Sequence, residues 1–287
     1  MSAYGPVWSS AKAQKLLIFG VSGNAHLTLR QFDASGEGKP TAATDTTDLA
    51  PGIISIPSNI VAVEFNEWTR VYGIIKKKNS QGTEQKVIYM LSPVHETVAP
   101  GDIVTPAGSL AGVSNGKSDA YLYYLDGTNK INSLKLQGES DPQPIETLPL
   151  KPQTSIAACI GADGHRYIAY QLPKRTIQVY DVVAKNPLPE IKGTSTSATA
   201  LTPLALVNYK KAGNIYMSVY YVNTEDTSYI QRSQRIDNGD WVDKVLDQAG
   251  LPSQSTTLSA TWDAKAEQVI VSFKLTKGDL VCVQDEW

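Results

Sequence analysis

The sequence predicts an all-β fold built from six consecutive repeats. Short runs rich in Val, Ile, Tyr and Thr recur along the chain, as in strands that pack one face on a core. Hairpin-type dipeptides such as Asn115-Gly116, Asp126-Gly127 and Asp163-Gly164 separate these runs. No window of ten or more residues shows a capped helical period. Short strands in units of about 48 residues indicate a six-bladed β-propeller, one domain over residues 1–287.

Each repeat opens with a strand of small and apolar residues. Small side chains fit the innermost strand of a blade, where large ones would collide at the propeller axis. The first strands are predicted at Tyr4–Trp8, Ile60–Glu64, Leu110–Ser114, Ile156–Ile160, Leu204–Asn208 and Leu258–Trp262.

A richer, more aromatic strand follows each first strand. These second strands are predicted at Leu16–Val21, Arg70–Ile75, Tyr121–Leu125, Tyr167–Gln171, Ser218–Val222 and Ile270–Lys274. Third strands include Ile131–Leu136, Ile177–Tyr180 and Leu280–Val283. No fourth strand is evident in the last unit, so its outer edge is expected to be short, uncovered or capped in an oligomer.

Composition excludes several classes of partner. The net charge is −2, from 26 basic and 28 acidic residues, which lacks the basic surplus of a nucleic-acid binder. The run Lys76-Lys77-Lys78 is interpreted as a solvated hairpin tip. No stretch approaches the ~18 apolar residues that span a membrane. Cys159 and Cys282 lie in apolar runs and are expected to be buried free thiols of a cytoplasmic protein, with a removed leader left open.

Motifs for cofactor or hydrolase chemistry are weak. The segment Gly112 to Gly116 matches G-x-S-x-G, but it runs from a strand into an Asn-Gly turn rather than into the helix of a nucleophile elbow. His26, His95 and the two cysteines show no metal-ligand spacing. The sequence therefore predicts a protein without metal or cofactor.

The fifth unit resembles a known family. The residues of the motif are Ile215–Asn223, Ile230-Gln231 and Asp237-Asn238-Gly239-Asp240-Trp241. A similar strand, Thr69-Arg70-Val71-Tyr72, lies in the second unit. This resembles the fungal fucose-binding lectins, six-bladed propellers whose blades read Arg-x-Tyr-Tyr, then a Glu strand, then Asp-Gly-x-x-Trp. The resemblance implies a sugar pocket between blades, formed by the Arg, the Glu and an aromatic residue of a neighbouring blade.

Most of the sugar-gripping positions differ from the family pattern. The Arg position holds Leu16 or Leu17, Arg70, Tyr121, Tyr167, Ser218 and Ile270 in the six units. In the fifth unit the Glu position falls on Ser233, or on Arg232 if a bulge shifts it. Arg with a carboxylate supplies charge-assisted hydrogen bonds that neutral residues cannot replace. At most one degenerate sugar site is expected.

The resemblance also has an enzymatic branch. Lectin-like propellers of fungal tropolonic sesquiterpenoid pathways act as hetero-Diels–Alderases that join a tropolone quinone methide to a terpene alkene. Such a cofactor-free reaction needs a pocket for two apolar partners and a donor to the polarised carbonyl. The expected function is this cycloaddition. The alternatives are a fucose-binding or altered-specificity lectin and a non-catalytic scaffold that uses the propeller rim.

Candidate site residues follow from the irregularities of the repeat. Arg70 and His165 are the predicted catalytic donors, although a surface ion pair and a solvated turn are their structural alternatives. The predicted substrate-binding residues are Trp8, Glu64, Trp68, Tyr72, Tyr121, Tyr167, Asn208 and Trp262. The indoles could instead plug the channel or pack between blades. The expected partners are small apolar metabolites. A homodimer is left as an alternative to a monomer, and neither nucleic acid nor a membrane is expected.

Overall fold

A computed structural model describes most of the chain. The described residues are 5–8, 15–22, 24–33, 40, 42–46, 53–55, 60–99, 110–137, 141–147, 149–223, 229–246, 252, 257–276 and 278–285. Within these ranges the strands form six small antiparallel sheets, and in each sheet the strands that follow one another along the chain are neighbours. The predicted fold class is confirmed: the protein is an all-β, six-bladed β-propeller.

The chain forms two compact units. The first lies within Met1–Ala34 and Pro40–Ile145, and the second lies within Glu146–Trp287. The first unit contains three four-stranded blades. Blade one comprises β1 (Gly5–Trp8), β2 (Leu16–Val21), β3 (Leu27–Gln31) and β4 (Ala42–Thr46). Blade two comprises β5 (Ile60–Phe65), β6 (Trp68–Lys78), β7 (Glu84–Ser92) and β8 (Glu96–Ala99). Blade three comprises β9 (Leu110–Ser114), β10 (Ala120–Leu125), β11 (Ile131–Lys135) and β12 (Gln143–Pro144).

The second unit contains the other three blades. Blade four comprises β13 (Ala157–Ile160), β14 (Arg166–Gln171), β15 (Ile177–Asp181) and β16 (Asn186–Pro187), followed by the short helix α1 (Thr194–Ser197). Blade five comprises β17 (Leu204–Lys211), β18 (Asn214–Val222), β19 (Ile230–Ile236) and β20 (Trp241–Val245). Blade six comprises β21 (Ser259–Asp263), β22 (Gln268–Lys274) and β23 (Leu280–Asp285) in the described residues.

Within each unit, the first strands of successive blades pack side by side. A side chain at Gly112 would meet Val61, since a Cβ there would lie 2.2 Å from Cγ1 of Val61. A Cβ at Gly5 would lie 2.6 Å from the backbone nitrogen of Ala62. The small residues of the first strands are therefore required by this close approach, as the sequence predicted.

Apolar clusters fill the spaces between neighbouring blades of a unit. One cluster joins blades one and two, and another joins blades two and three. In the second unit one cluster joins blades four and five and another joins blades five and six. Alternate residues of each strand point to opposite sides of the sheet, so every central blade presents one face to the preceding blade and one to the next. No helix in the described residues could cross a membrane.

Candidate ligand site between blades four and five

The strand register gives each blade a cross-strand pair at the position where the family places its Arg. The pairs are Leu17 with Gln31, Tyr121 with Lys135, Tyr167 with Asp181, Ser218 with Gln234 and Ile270 with Gln284. In blade two a register shift follows Arg70, between Val71 and Tyr72. In blade five the residue opposite Ser218 is Gln234, whereas the sequence comparison placed the Glu position at Ser233 or Arg232. Blade four is the described blade in which this pair includes a carboxylate opposite an aromatic hydroxyl.

Arg70 contacts its own hairpin. Its guanidinium carbon lies 4.6 Å from the centre of the Phe65 ring, a cation–π distance, and no carboxylate of the described residues forms an ion pair with it. Trp68 is 63% exposed, whereas Tyr72 is fully buried, and burial raises the pKa of Tyr72. The structure therefore does not gather these three predicted residues around an open site.

His165 is held by a carboxylate. Its Nδ1 donates to Oδ2 of Asp181 at 2.7 Å, while Oδ1 of Asp181 accepts the backbone N–H groups of Val183 and Ala184. The hydrogen bond to Asp181, and then the charge of Asp181, raises the pKa of His165. The His165 side chain remains 40% exposed, and its Nε2 has no hydrogen-bonding partner among the described residues. His165 is therefore an oriented imidazole with one nitrogen available to a ligand.

Tyr167 lies beside His165 with its hydroxyl fixed. Its hydroxyl donates to Oδ2 of Asp163 at 2.6 Å, and Oδ1 of Asp163 accepts the backbone N–H of His165. The two rings are stacked, with centroids 6.4 Å apart. Burial, and then Asp163, raises the pKa of Tyr167, so its phenol stays protonated at neutral pH. Gly161 makes room for this arrangement, because a Cβ there would lie 2.2 Å from Oδ1 of Asp163.

A row of four side chains on blade five faces this group. Asn208, Met217, Arg235 and Trp241 lie side by side across strands β17 to β20. Met217 belongs to the cluster that contains Tyr167, and Trp241 packs against the same cluster, so the row points toward blade four. Two hydrogen bonds tie its ends to that blade: Ala162 N–H donates to Oδ1 of Asn208 at 2.9 Å, and Trp241 Nε1 donates to the Pro189 carbonyl at 2.8 Å.

The other face of blade five is closed by its own side chains. The Tyr209 ring stacks at 4.0 Å on Trp262 and at 5.3 Å on Tyr216. Gln234 Nε2 donates to Oγ of Ser218 at 2.9 Å. Trp262 therefore packs between blades five and six, the structural alternative that the sequence left open for the indoles.

The remaining predicted residues are dispersed. Glu64 is half-buried in β5 opposite Thr69, and Tyr121 has the Lys135 ammonium 6.0 Å from its ring centre. Trp8 lies in β1 opposite Leu16, and its side chain falls outside the described residues. Cys159, opposite Tyr167, has a pKa raised by burial, so it is a protonated thiol and a poor nucleophile.

The structure thus brings His165, Tyr167 and Asn208 together and adds residues that were not predicted as site residues. Asp163, Asp181, Arg235 and Trp241 complete the group. Trp241 was visible in the Asp-x-Gly-x-Trp segment, but the other three become significant only through strand register and face. No group of three His, Cys, Asp or Glu side chains within the described residues is arranged to hold a metal ion.

Solved structures with the same fold are fungal and bacterial lectins. AofleA from Arthrobotrys oligospora superposes with a TM-score of 0.69 at 15% identity, covering 100% of this chain and 83% of the other. The six-bladed lectin of Aleuria aurantia, described by its fucose recognition mode, gives a TM-score of 0.69 at 15% identity over 99% of this chain and 91% of that chain. A lectin from Burkholderia pseudomallei gives 0.60 at 14% identity, with 99% and 84% covered.

No protein-family model and no curated protein matches the sequence. At this level of identity, the similarity to the solved lectins shows the fold alone. Any ligand must be argued from the side chains of this chain.

Proposed function

We propose that the protein is a lectin-like propeller of altered specificity that binds a small molecule between blades four and five. The observation that carries the proposal is the His165–Asp181 pair beside Tyr167, with Nε2 of His165 available. Tyr167 and Asp181 occupy the cross-strand positions at which the family resemblance implies the Arg and Glu that grip a sugar.

The chemistry of this site differs from a fucose pocket. Both oxygens of Asp181 already accept hydrogen bonds, so this carboxylate orients His165 instead of gripping ligand hydroxyls. The groups left for a ligand are Nε2 of the half-exposed His165 and the partly buried Trp241 indole across the interface. Aromatic faces with one or two placed polar groups suit a small cyclic ligand with an accepting oxygen.

Binding can be tested by isothermal titration with fucose and with small cyclic carbonyl and carboxyl compounds. We expect His165→Ala and Trp241→Ala each to weaken binding of an identified ligand by about tenfold, as for the loss of one good contact. Trp68→Ala serves as the matched control, because it removes an exposed indole from another blade and should leave affinity unchanged. Micromolar fucose binding that is lost in Arg70→Ala and retained in His165→Ala would overturn the proposal.

The second candidate is the cofactor-free hetero-Diels–Alder cycloaddition, favoured by the half-exposed His165. With its cationic form stabilised by Asp181, His165 can donate from Nε2 to the carbonyl oxygen of a tropolone quinone methide, which lowers the barrier by stabilising developing charge. The step forms one C–C and one C–O bond from two π systems, so it consumes no oxidant or reductant. In this candidate the Trp241 indole across the interface would contact an apolar partner, while Arg70 lies in blade two and takes no part in the step.

The cycloaddition can be tested by incubating the protein with a quinone-methide precursor and a humulene-like alkene. We expect a higher yield and one dominant stereoisomer relative to buffer, with a loss of about tenfold or more in His165→Ala. A racemic product formed at the buffer rate would overturn this candidate while leaving the binding function testable by titration.

A further inference from the structure

Strand β19 contains two buried arginines with different surroundings. Arg232 and Arg235 are 6% and 8% exposed. Arg232 Nη1 contacts Oδ2 of Asp285 at 2.6 Å, a buried ion pair. Arg235 Nε donates to the Gly239 carbonyl at 2.9 Å, and Nη2 donates to Oδ1 of Asn238 at 3.4 Å. No carboxylate of the described residues lies within ion-pair distance of Arg235.

A buried guanidinium without a counter-charge is costly. The unfavourable free energy of removing a cation from water is offset mainly by an anionic partner, and neutral carbonyl oxygens offset only part of it. Arg235 is held by a backbone carbonyl and by a long contact to an amide oxygen, so its charge is unmatched within the described residues. Arg232, on the same strand, is by contrast matched by a carboxylate of the neighbouring blade six, Asp285.

Arg235 lies at the end of the blade where His165 lies. Strands alternate in direction, so the first and last hairpins of a four-stranded blade share one end. In blade five the turn at residues 237–240, to which Arg235 bonds, is on that end, and in blade four the turn at residues 161–165 is its counterpart. The Asn208–Ala162 hydrogen bond brings these ends together. Arg235 therefore faces blade four from the same end as His165.

The acidic groups of blade four are already engaged. Asp181 is bonded to His165 and to two backbone N–H groups, and Asp163 is bonded to Tyr167 and to the His165 backbone. They orient the imidazole and the phenol and leave the charge of Arg235 to a molecule from outside.

We propose that the site between blades four and five takes a small cyclic carboxylate, whose charge Arg235 matches from blade five while His165 donates to it from blade four. This inference rests on the proposed binding function and names its ligand class. A carboxylate can accept the paired N–H groups of a guanidinium, which a neutral sugar hydroxyl cannot match in strength.

The test uses matched acid and neutral probes: benzoate against benzamide, and galacturonate against galactose, titrated calorimetrically at pH 6.5. We expect wild type to prefer the acid of at least one pair by about tenfold, the factor that one charge-assisted contact gives. Arg235→Gln should abolish that preference, and Arg235→Lys should retain part of it. Lys174→Gln is the charge-matched control, because Lys174 is exposed in the turn at the opposite end of blade four.

The wild-type preference does not depend on any variant folding, and thermal unfolding of each variant checks that it folds. Equal affinity of wild type for acid and neutral probes, or unchanged acid preference in Arg235→Gln, would overturn the inference. If neutral probes bind and Trp241→Ala weakens them, the binding function stands and the ligand class alone is wrong. If no probe binds, both are contradicted for this chemistry.

Discussion

The two faces of blade five each bury one arginine of strand β19, and the two arginines have different partners. Strand β19 is polar and buried from Ile230 to Arg235. On the face toward blade six, Arg232 and the Tyr220 hydroxyl share Oδ2 of Asp285 at 2.6 and 2.7 Å. On the face toward blade four, the acceptors of Arg235 among the described residues are neutral. Two arginines three positions apart on one strand thus point to opposite faces, one with a counter-charge and the other without one in the described part of the chain.

The difference separates stability from binding. A buried cation that meets a carboxylate of the fold is neutralised within the protein, so an anionic ligand gains little there. A buried cation that meets neutral acceptors costs stability in the free protein, and an anionic ligand supplies the missing counter-charge. This difference is why we propose the interface between blades four and five, rather than the one between blades five and six, as the binding interface.

The largest expected effect is on the closed face. Arg232→Met leaves Asp285 buried without its cation, so the free energy of unfolding should fall by about 3–5 kcal/mol. Urea denaturation followed by tryptophan fluorescence measures this loss. As a control, the double variant Arg232→Met with Asp285→Leu should recover much of the loss, because it removes both charges. A loss below about 1 kcal/mol in the single variant would show that the two faces do not differ.

The matched change on the other face should have a much smaller effect. Arg235→Met removes a buried charge that no carboxylate balances and gives up a hydrogen bond to Gly239, two effects of opposite sign. We expect the free energy of unfolding to change by no more than about 1 kcal/mol in either direction. The same denaturation experiment measures it. A loss as large as that of Arg232→Met would mean that Arg235 is a structural residue.

The smallest effect concerns pH on the binding face. The hydrogen bond to Asp181, and then the charge of Asp181, raises the pKa of His165, and the charge of Asp163 acts in the same direction. The pKa of a histidine in the unfolded chain is about 6.5. A raised folded pKa means that the stability from this pair is fully present below pH 6.5 and is lost as pH rises through the folded value.

NMR titration of the imidazole signals measures this pKa directly. His165 should titrate above the ordinary histidine range in wild type and should return toward it in Asp181→Asn. His26 and His95 serve as internal references in the same spectra, because Asp181 does not contact them. An unshifted His165 in wild type would show that the pair with Asp181 does not form in solution.

Several features of this protein follow from the amino-acid sequence alone. The alternation of Val, Ile and Tyr with polar residues, and the recurrence of small first strands, determined the strands and the six blades. They also predicted no evident fourth strand in the last unit. The residues at the Arg position of the family, which are Leu16 or Leu17, Tyr121, Tyr167, Ser218 and Ile270 in five of the six units, were found by aligning the repeats with the pattern that the resemblance implies.

The site was decided by the tertiary structure. A period of two tells which residues share a face, but it does not tell which residue on the next strand stands opposite, and a slip of one position reverses the face. The pairing of Gln234 with Ser218 and the contact of Asp181 with His165 across a hairpin therefore could not be read from the sequence pattern. The contrast between Arg232 and Arg235 depends in addition on how neighbouring blades pack. Arg232 meets Asp285 of the next blade, whereas Arg235 meets no carboxylate of the described residues.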